Sequence, residues 1–338
     1  MDKQPTAIAL FSGGLDSILA CRVVAEQGVR VKALKFVTPF FDCDLLATEA
    51  QYREKIRAKY AIDVEVKDLT DLYLQMLHAP PHGFGKHFNP CIDCKILMLS
   101  EAKKLMAEYQ ASFIITGEVI GQRPMSQRKD TLRVIERDSG TDSLLLRPLC
   151  ARSQKPTAAE LAGIIDREKL PYCSGRGRSQ QIEIAARFGI TDYPTPAGGC
   201  ILTDPNLAKR IKMLYSQPGL VNREDVRFVL VGRQFRLPHG GWLAIGRSQD
   251  ENEAVLRLSQ PDDLVLKLND RPGPTALLRH SSHPADISLS ASLVVRYGRK
   301  IPGGPLEAEV KVTRHQTENL LVSPPLPDEQ LAGLTIIW

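Results

Sequence analysis

The chain has 338 residues, 43% hydrophobic and 25% charged, with a formal net charge of +5. That is enough chain for about two soluble domains with real cores. No apolar run is long enough for a bilayer span, and the mildly basic balance suits a polyanionic partner without requiring one. Met1–Pro5 has neither a basic stretch nor a small-residue cleavage site, so no membrane association and a cytoplasmic location are expected. Lys/Arg and Asp/Glu balance after residue 220, so the basic surplus lies in the first two-thirds.

Residues 6–11 are a short apolar run, read as a strand buried on both faces. A glycine turn follows, then a predicted helix from Ser17 to Gly28, a strand over Val29–Phe36, a helix over Thr48–Tyr60 and a strand over Val64–Asp68. Cys94–Tyr109 reads as a helix and Ser112–Thr116 as another strand. Strands alternating with helices predict an α/β fold, a doubly wound parallel sheet. Beyond about residue 220 the pattern shortens to strands over 226–232, Trp242–Gly246, Leu264–Leu268, Thr275–Arg279 and 307–313. Helices are predicted over 249–258 and 285–297, with turn formers between them. This predicts a first domain over 1–205, a linker over 206–222 and a smaller α+β domain over 223–338, with Pro324–Pro327 as an extended tail.

The first turn carries chemistry. Ser12-Gly13-Gly14-Leu15-Asp16-Ser17 joins a strand to a helix. Two glycines let the backbone approach phosphate, and the N–H groups at the helix start make an anion pocket. Ser12 and Ser17 add hydroxyl donors, and Asp16 is expected to orient the turn or to hold Mg2+. No lysine follows the second glycine, so this is not the loop that presents a γ-phosphate. The motif resembles the PP-loop ATP pyrophosphatases (HUP-like), and the resemblance extends over about residues 6–205. Thr116-Gly117-Glu118-Val119-Ile120-Gly121-Gln122, followed by Ser126-Gln127, is similar to a nucleotide-pocket segment of tRNA 4-thiouridine synthetases, and Leu146-Arg147-Pro148-Leu149 to a later one. The resemblance implies ATP cleaved between the α- and β-phosphates and a pocket including Phe36, Gly117, Glu118 and Gln122.

Of seven cysteines, Cys21, Cys43, Cys150 and Cys173 stand alone and read mostly as buried bystanders. Cys91 and Cys94 form a C-x-x-C at a helix start, where thiol pKa is expected to fall. Cys200 follows the turn Pro196-Ala197-Gly198-Gly199. These elements are similar to those of tRNA 2-thiouridylases, which implies Cys200 as a persulfide carrier and Cys94 as its partner. The extra thiol at Cys91 fits instead a 4Fe–4S cluster with one open iron held by Cys91, Cys94 and Cys200. Zinc, completed by His82 or His87, and no metal at all are the alternatives. Arg123, Arg128, Lys129, Arg176 and Arg178 are candidate phosphate contacts. Gly246-Arg247 with Asn252-Glu253, and Asp263 with Pro272-Gly273, resemble an NFACT-type RNA-binding domain, which implies Arg247, Arg271 and Arg279 as RNA contacts. Val265 and Lys267 replace that domain's Trp and His.

Together these imply an AMP-forming tRNA sulfurtransferase. Its partners would be tRNA and a sulfur donor, either inorganic sulfide or a cysteine desulfurase relay. A PP-loop ligase or amidase acting on a small metabolite, and a non-catalytic ATP-sensing RNA-binding protein, are the rivals.

Overall fold

The computed structural model describes residues 4–195, 200–216, 219–332 and 334–337. The chain divides into two units, Met1–Thr203 and Asp204–Trp338.

The first unit runs β1 (Thr6–Leu10), α1 (Leu15–Ala25), β2 (Arg30–Val37), α2 (Glu49–Tyr60), β3 (Asp63–Asp68), α3 (Thr70–His78), α4 (Cys91–Lys104), β4 (Phe113–Thr116), α5 (Lys129–Ser139), β5 (Leu145–Leu146), α6 (Ala158–Leu161) and α7 (Ser179–Arg187). The sheet order is β3-β2-β1-β4-β5 and every pairing is parallel. Period-two alternation explains why both faces are apolar. Ala7, Ala9, Ala33 and Ile115 pack with Ile18 and Leu19 of α1 on one side. Ile8, Leu10, Leu34 and Ile114 pack with Leu99 of α4 and Ile135 of α5 on the other. Each fully buried Leu or Ile contributes about 1.5–3 kcal/mol relative to exposure. Strand order reverses at β1, so the ends of β1 and β4 flank the crevice where open α/β sheets bind ligands.

The second unit runs α8 (Pro205–Tyr215), α9 (Arg223–Val229), β6 (Arg233–Arg236), β7 (Trp242–Ile245), α10 (Gln249–Arg257), β8 (Leu264–Leu268), β9 (Ala276–Arg279), α11 (Pro284–Tyr297), β10 (Ala308–Arg314), β11 (Thr317–Ser323), α12 (Asp328–Ala332) and β12 (Thr335–Ile337). Its sheet is antiparallel, in the order β11-β10-β8-β9-β7-β6-β12. Ala291, Leu293 and Val294 of α11 share its core with Leu266, Leu278 and Val310.

Three sequence expectations change here. The segment 206–222 is not a linker, because it carries α8. Asp204 caps that helix by accepting from the Asn206 and Leu207 amides, and Pro205 occupies its first turn. Buried Arg210 then ties α8 to the Val229 and Gly232 carbonyls. Residues 226–232 are not a strand. A capping box between Asn222 and Asp225 starts α9, whose Val226, Phe228 and Val229 are buried. The C-terminal tail is not merely extended, since Leu326 is buried and β12 pairs with β6.

Candidate active site

The turn after β1 is built for close backbone approach. Gly13 has φ +84, a left-handed conformation that side chains resist. Gly14 caps α1 without a side chain, and its carbonyl accepts from the Ser17 amide at 3.0 Å and the Ser17 hydroxyl at 2.8 Å. Ser12 Oγ lies 3.2 Å from Ser17 Oγ, so both hydroxyls face one place. Buried Lys35 on β2, not singled out in the sequence, donates to the Ser12 carbonyl at 2.8 Å and pairs with Asp42. A lysine in a strand otherwise apolar at this end was the available signal. Phe36, its neighbour, points to the opposite face and packs with Leu10, Leu69 and Leu99.

β4 closes the other side. A Cβ on Gly117 would meet the backbone of Asp16 and Ser17 at 2.5 Å, so only glycine lets this segment touch the first turn of α1. Asp16 Oδ2 accepts from Gln122 Nε2 at 3.0 Å and faces Arg178 at 3.4 Å. Asp16 Oδ1 is buried without a partner. An unpaired anionic oxygen beside a phosphate loop fits a Mg2+ ligand. Arg178, expected as an RNA contact, is thus engaged at the loop.

Glu118, expected in the nucleotide pocket, is 2% exposed and turned inward. It accepts from Arg147 Nε at 3.0 Å and from Thr116 at 3.1 Å, with Lys95 at 3.7 Å. Arg147 is equally buried and also pairs with Glu136. Burial works to raise the Glu118 pKa, but Lys95 and Arg147 outweigh it and hold the carboxyl below its usual range.

Cys91 and Cys94 lie in the first turn of α4, and Cys200 begins a short turn through Thr203, whose amide and hydroxyl both donate to the Cys200 carbonyl. The turn 196–199 lies outside the described residues. Tyr73 of α3, itself buried, lies within electrostatic reach of Cys91, Cys94 and Cys200. Phe40 and Phe41 hold the Tyr73 ring at 5.8 and 5.6 Å. Asn89, buried, donates to Cys91 Sγ at 3.2 Å. The expected fall in thiol pKa is corrected for Cys94. Burial pushes it up to about 11, against the pull of Lys95 and Tyr73. Burial raises Cys200 as well, opposed by the Leu202 amide and by Arg123.

Among the described residues no three His, Cys, Asp or Glu side chains stand close enough to hold a metal ion. Three thiols with no carboxylate among them have the donor chemistry of an iron–sulfur group, but the described side chains are not drawn together to ligand distance. His82 cannot complete a zinc site in this arrangement, because Asp93 takes its Nδ1 at 2.8 Å and Asp138 its Nε2 at 3.0 Å. His87 donates its amide to Asn89 Oδ1. Cys21, Cys150 and Cys173 are buried, while Cys43 is partly exposed.

Arg123, Lys129 and Arg176 make no ion pair among the described residues, whereas Arg128 is paired with Asp130 at 3.0 Å. In the second unit the expected RNA contacts are mostly engaged. Arg247 grips Glu251 in the first turn of α10. Arg271 binds Asp270 and the Glu307 carbonyl at 2.8 Å. Arg279 is corrected outright: it is buried, paired with Asp263 at 3.1 Å, and stacked 4.3 Å over Phe228. Asn252 accepts from the Thr275 amide and leaves no room for a side chain at Gly246, so that signature is structural.

Residues 3–170 match the family described as thiamine biosynthesis protein (ThiI). The match takes in just under half of the chain and falls within the first unit. Cys200 lies beyond the matched residues. Residues 232–333, in the second unit, match the NFACT protein RNA binding domain. The chain is 26% identical over 226 residues to a tRNA sulfurtransferase of Desulfurococcus amylolyticus, covering 66% of this chain and 40% of the relative. It is 30% identical over 118 residues to a probable tRNA sulfurtransferase of Lachnospira eligens, covering 34% of this chain and 29% of the relative. The chain thus spans well under half the length of these relatives. A 4-thiouridine synthetase–RNA complex with bound ATP is similar at TM-score 0.36 and 20% identity, covering 56% of this chain and 54% of that one. No helix among the described residues is long and apolar enough to cross a membrane.

Proposed function

We propose that the chain is an ATP-dependent tRNA sulfurtransferase that replaces a uridine carbonyl oxygen with sulfur. One observation carries this reading. The segment 116–125 borders the phosphate loop through Gly117 and Gln122, and its Met125 meets at 3.4 Å the Asn89 amide that also donates to Cys91 Sγ. A nucleotide-activating site and a sulfur-bearing site therefore share one wall. The tRNA sulfurtransferase relatives support the choice of substrate.

The chemistry divides between the two. The uridine carbonyl oxygen attacks the α-phosphorus of ATP, forming an O-adenylate and releasing pyrophosphate. Ser12, Ser17 and the α1 amides receive the phosphates, and Asp16 holds Mg2+ against the charge that develops on pyrophosphate. Sulfide then adds to the activated carbon, and AMP leaves with the original oxygen; with a Cys200 persulfide as donor its outer sulfur adds instead, and the Cys94 thiolate cleaves the S–S bond, leaving a Cys94–Cys200 disulfide that an external dithiol must reduce. Cys91, Cys94 and Cys200 would hold a 4Fe–4S cluster, which supplies an open iron for sulfide. Arg123, Lys129 and Arg176 bind the RNA backbone beside the site. The NFACT-type domain adds further RNA contact.

Incubation with ATP, sulfide and tRNA tests this. AMP and pyrophosphate should form in equal amounts, and only with tRNA present. Formation of AMP with a small amide and no RNA would favour the metabolite ligase instead. Iron and acid-labile sulfide on anaerobically purified protein, at about four irons per chain and lost in Cys91→Ala, would support the cluster.

A further inference from the structure

The second unit contains a cavity of about 250 Å³ lined by Leu214, Leu220, Val221, Asp225, Arg236 and His280, with Trp242 at its base. The Arg236 guanidinium on β6 lies over the Trp242 ring, 4.3 Å from its centroid. That ring is fixed in turn by its own hydrogen bond to Gln234 at 2.7 Å and by edge contact with Phe228. Arg236 makes no ion pair among the described residues, and its Nε is buried without a partner. A guanidinium held rigid and partly dehydrated, with donors unspent, is organised for a ligand. Asp225 also lines the cavity, with Oδ2 accepting from the Asn222 amide at 3.5 Å in the capping box of α9.

His280 forms a side wall. Its φ is +65, a strained conformation for a non-glycine residue, and its ring lies 6.2 Å from Trp242 at 28°. A second cavity of about 280 Å³ shares His280, and its two arginines are already paired, Arg314 with Asp262 at 3.4 Å and Arg279 with Asp263 at 3.1 Å. The first cavity is below the roughly 300–1,000 Å³ of ordinary ligand pockets, which suits one planar base.

We propose that the first cavity takes the guanine base of an unpaired RNA nucleotide. Guanine is the base that offers two adjacent donors, N1–H and N2–H, to a carboxylate and two adjacent acceptors, O6 and N7, to a guanidinium. Asp225 and Arg236 supply that complement, and the His280 ring supplies a stacking face of the kind single-stranded bases use. RNA rather than free nucleotide is favoured because residues 232–333 of this unit match the RNA-binding domain. The inference rests on RNA being the partner of this chain.

The test is fluorescence anisotropy of the full chain with single-stranded uridine-run oligonucleotides carrying one central G, A, C or U. The G oligonucleotide should bind about tenfold tighter than the A or U one. Asp225→Asn should abolish that preference, and Arg236→Lys should weaken the G oligonucleotide about fivefold, with melting curves showing both variants folded. Equal binding of all four by the native chain, or a preference that survives Asp225→Asn, would overturn the proposal. Guanosine 5′-monophosphate displacing RNA as tightly as the G oligonucleotide would overturn the RNA source. No binding of any oligonucleotide would overturn the pocket, and a tRNA gel shift would then show whether the RNA reading falls too.

Discussion

A Cβ on Gly117 would stand 2.5 Å from the carbonyl carbon of Asp16, so the end of β4 and the start of α1 touch backbone to backbone. The phosphate loop is held from its far side by this contact. It is not a loop free to open. Gly117→Ala must push the two elements apart, at about 1–3 kcal/mol. Where that cost falls on the ATP-bound form, the Kd for ATP should rise between about fivefold and a hundredfold. Gly177→Ala is the control, since nothing lies within 4 Å of its Cβ position and its φ is not positive. Isothermal titration with ATP compares the two.

Lys35 supports the same loop from β2. Its ammonium donates to the Ser12 carbonyl and pairs with Asp42, so Lys35→Met removes a charged hydrogen bond worth about 1.5–3 kcal/mol. ATP affinity is expected to fall about tenfold or more, with the fold retained. An unchanged affinity would show that the Ser12 carbonyl needs no anchor.

The buried pair Glu118–Arg147 gives a pH signature. Its depressed carboxyl pKa means that the folded state favours ionised Glu118 more than the unfolded chain does. That stability is fully present above the ordinary glutamate pKa of about 4.3 and is lost as pH falls from there through the lowered folded value. Urea melts of the native chain should therefore weaken below that point, and Glu118→Gln should flatten the dependence. Arg147→Ala strands the carboxylate and should cost about 3–5 kcal/mol at neutral pH.

In the second unit Arg279→Ala should cost a similar amount, about 3–5 kcal/mol, because Asp263 is left buried and unpaired. The double variant Arg279→Met, Asp263→Leu should recover much of the loss. Were Arg279 an RNA contact instead, Arg279→Met would weaken RNA binding without moving the melting temperature.

How much of this was legible in the sequence follows from which forces act locally. The alternation at Ile8, Leu10 and Ile114 and the glycine turn are local patterns, and they place β1, β4 and the turn into α1 correctly. The helix α8 was also written locally, in Asp204-Pro205, but a polar and proline-bearing stretch was read as a linker. Residues 226–232 misled because a short apolar run does not distinguish strand from helix without its cap. Partner choice was not legible at all. Arg279, Glu118 and Arg178 looked like surface or pocket charges, yet each meets a carboxylate or guanidinium distant in sequence. For the cysteines, the sequence supplied the three residues, and the structure added Tyr73 from α3 and the burial that raises Cys94.

The most direct measurement is mass spectrometry of nucleosides from unmodified tRNA incubated anaerobically with the full chain, ATP, Mg2+ and sulfide. The account predicts a thiouridine, heavier than uridine by the exchange of oxygen for sulfur, formed by the native chain and absent with Cys200→Ala or without ATP. Thiouridine formed equally well by Cys200→Ala would contradict the role given to the thiol cluster, and ATP cleavage with no sulfur entering tRNA would contradict the function itself.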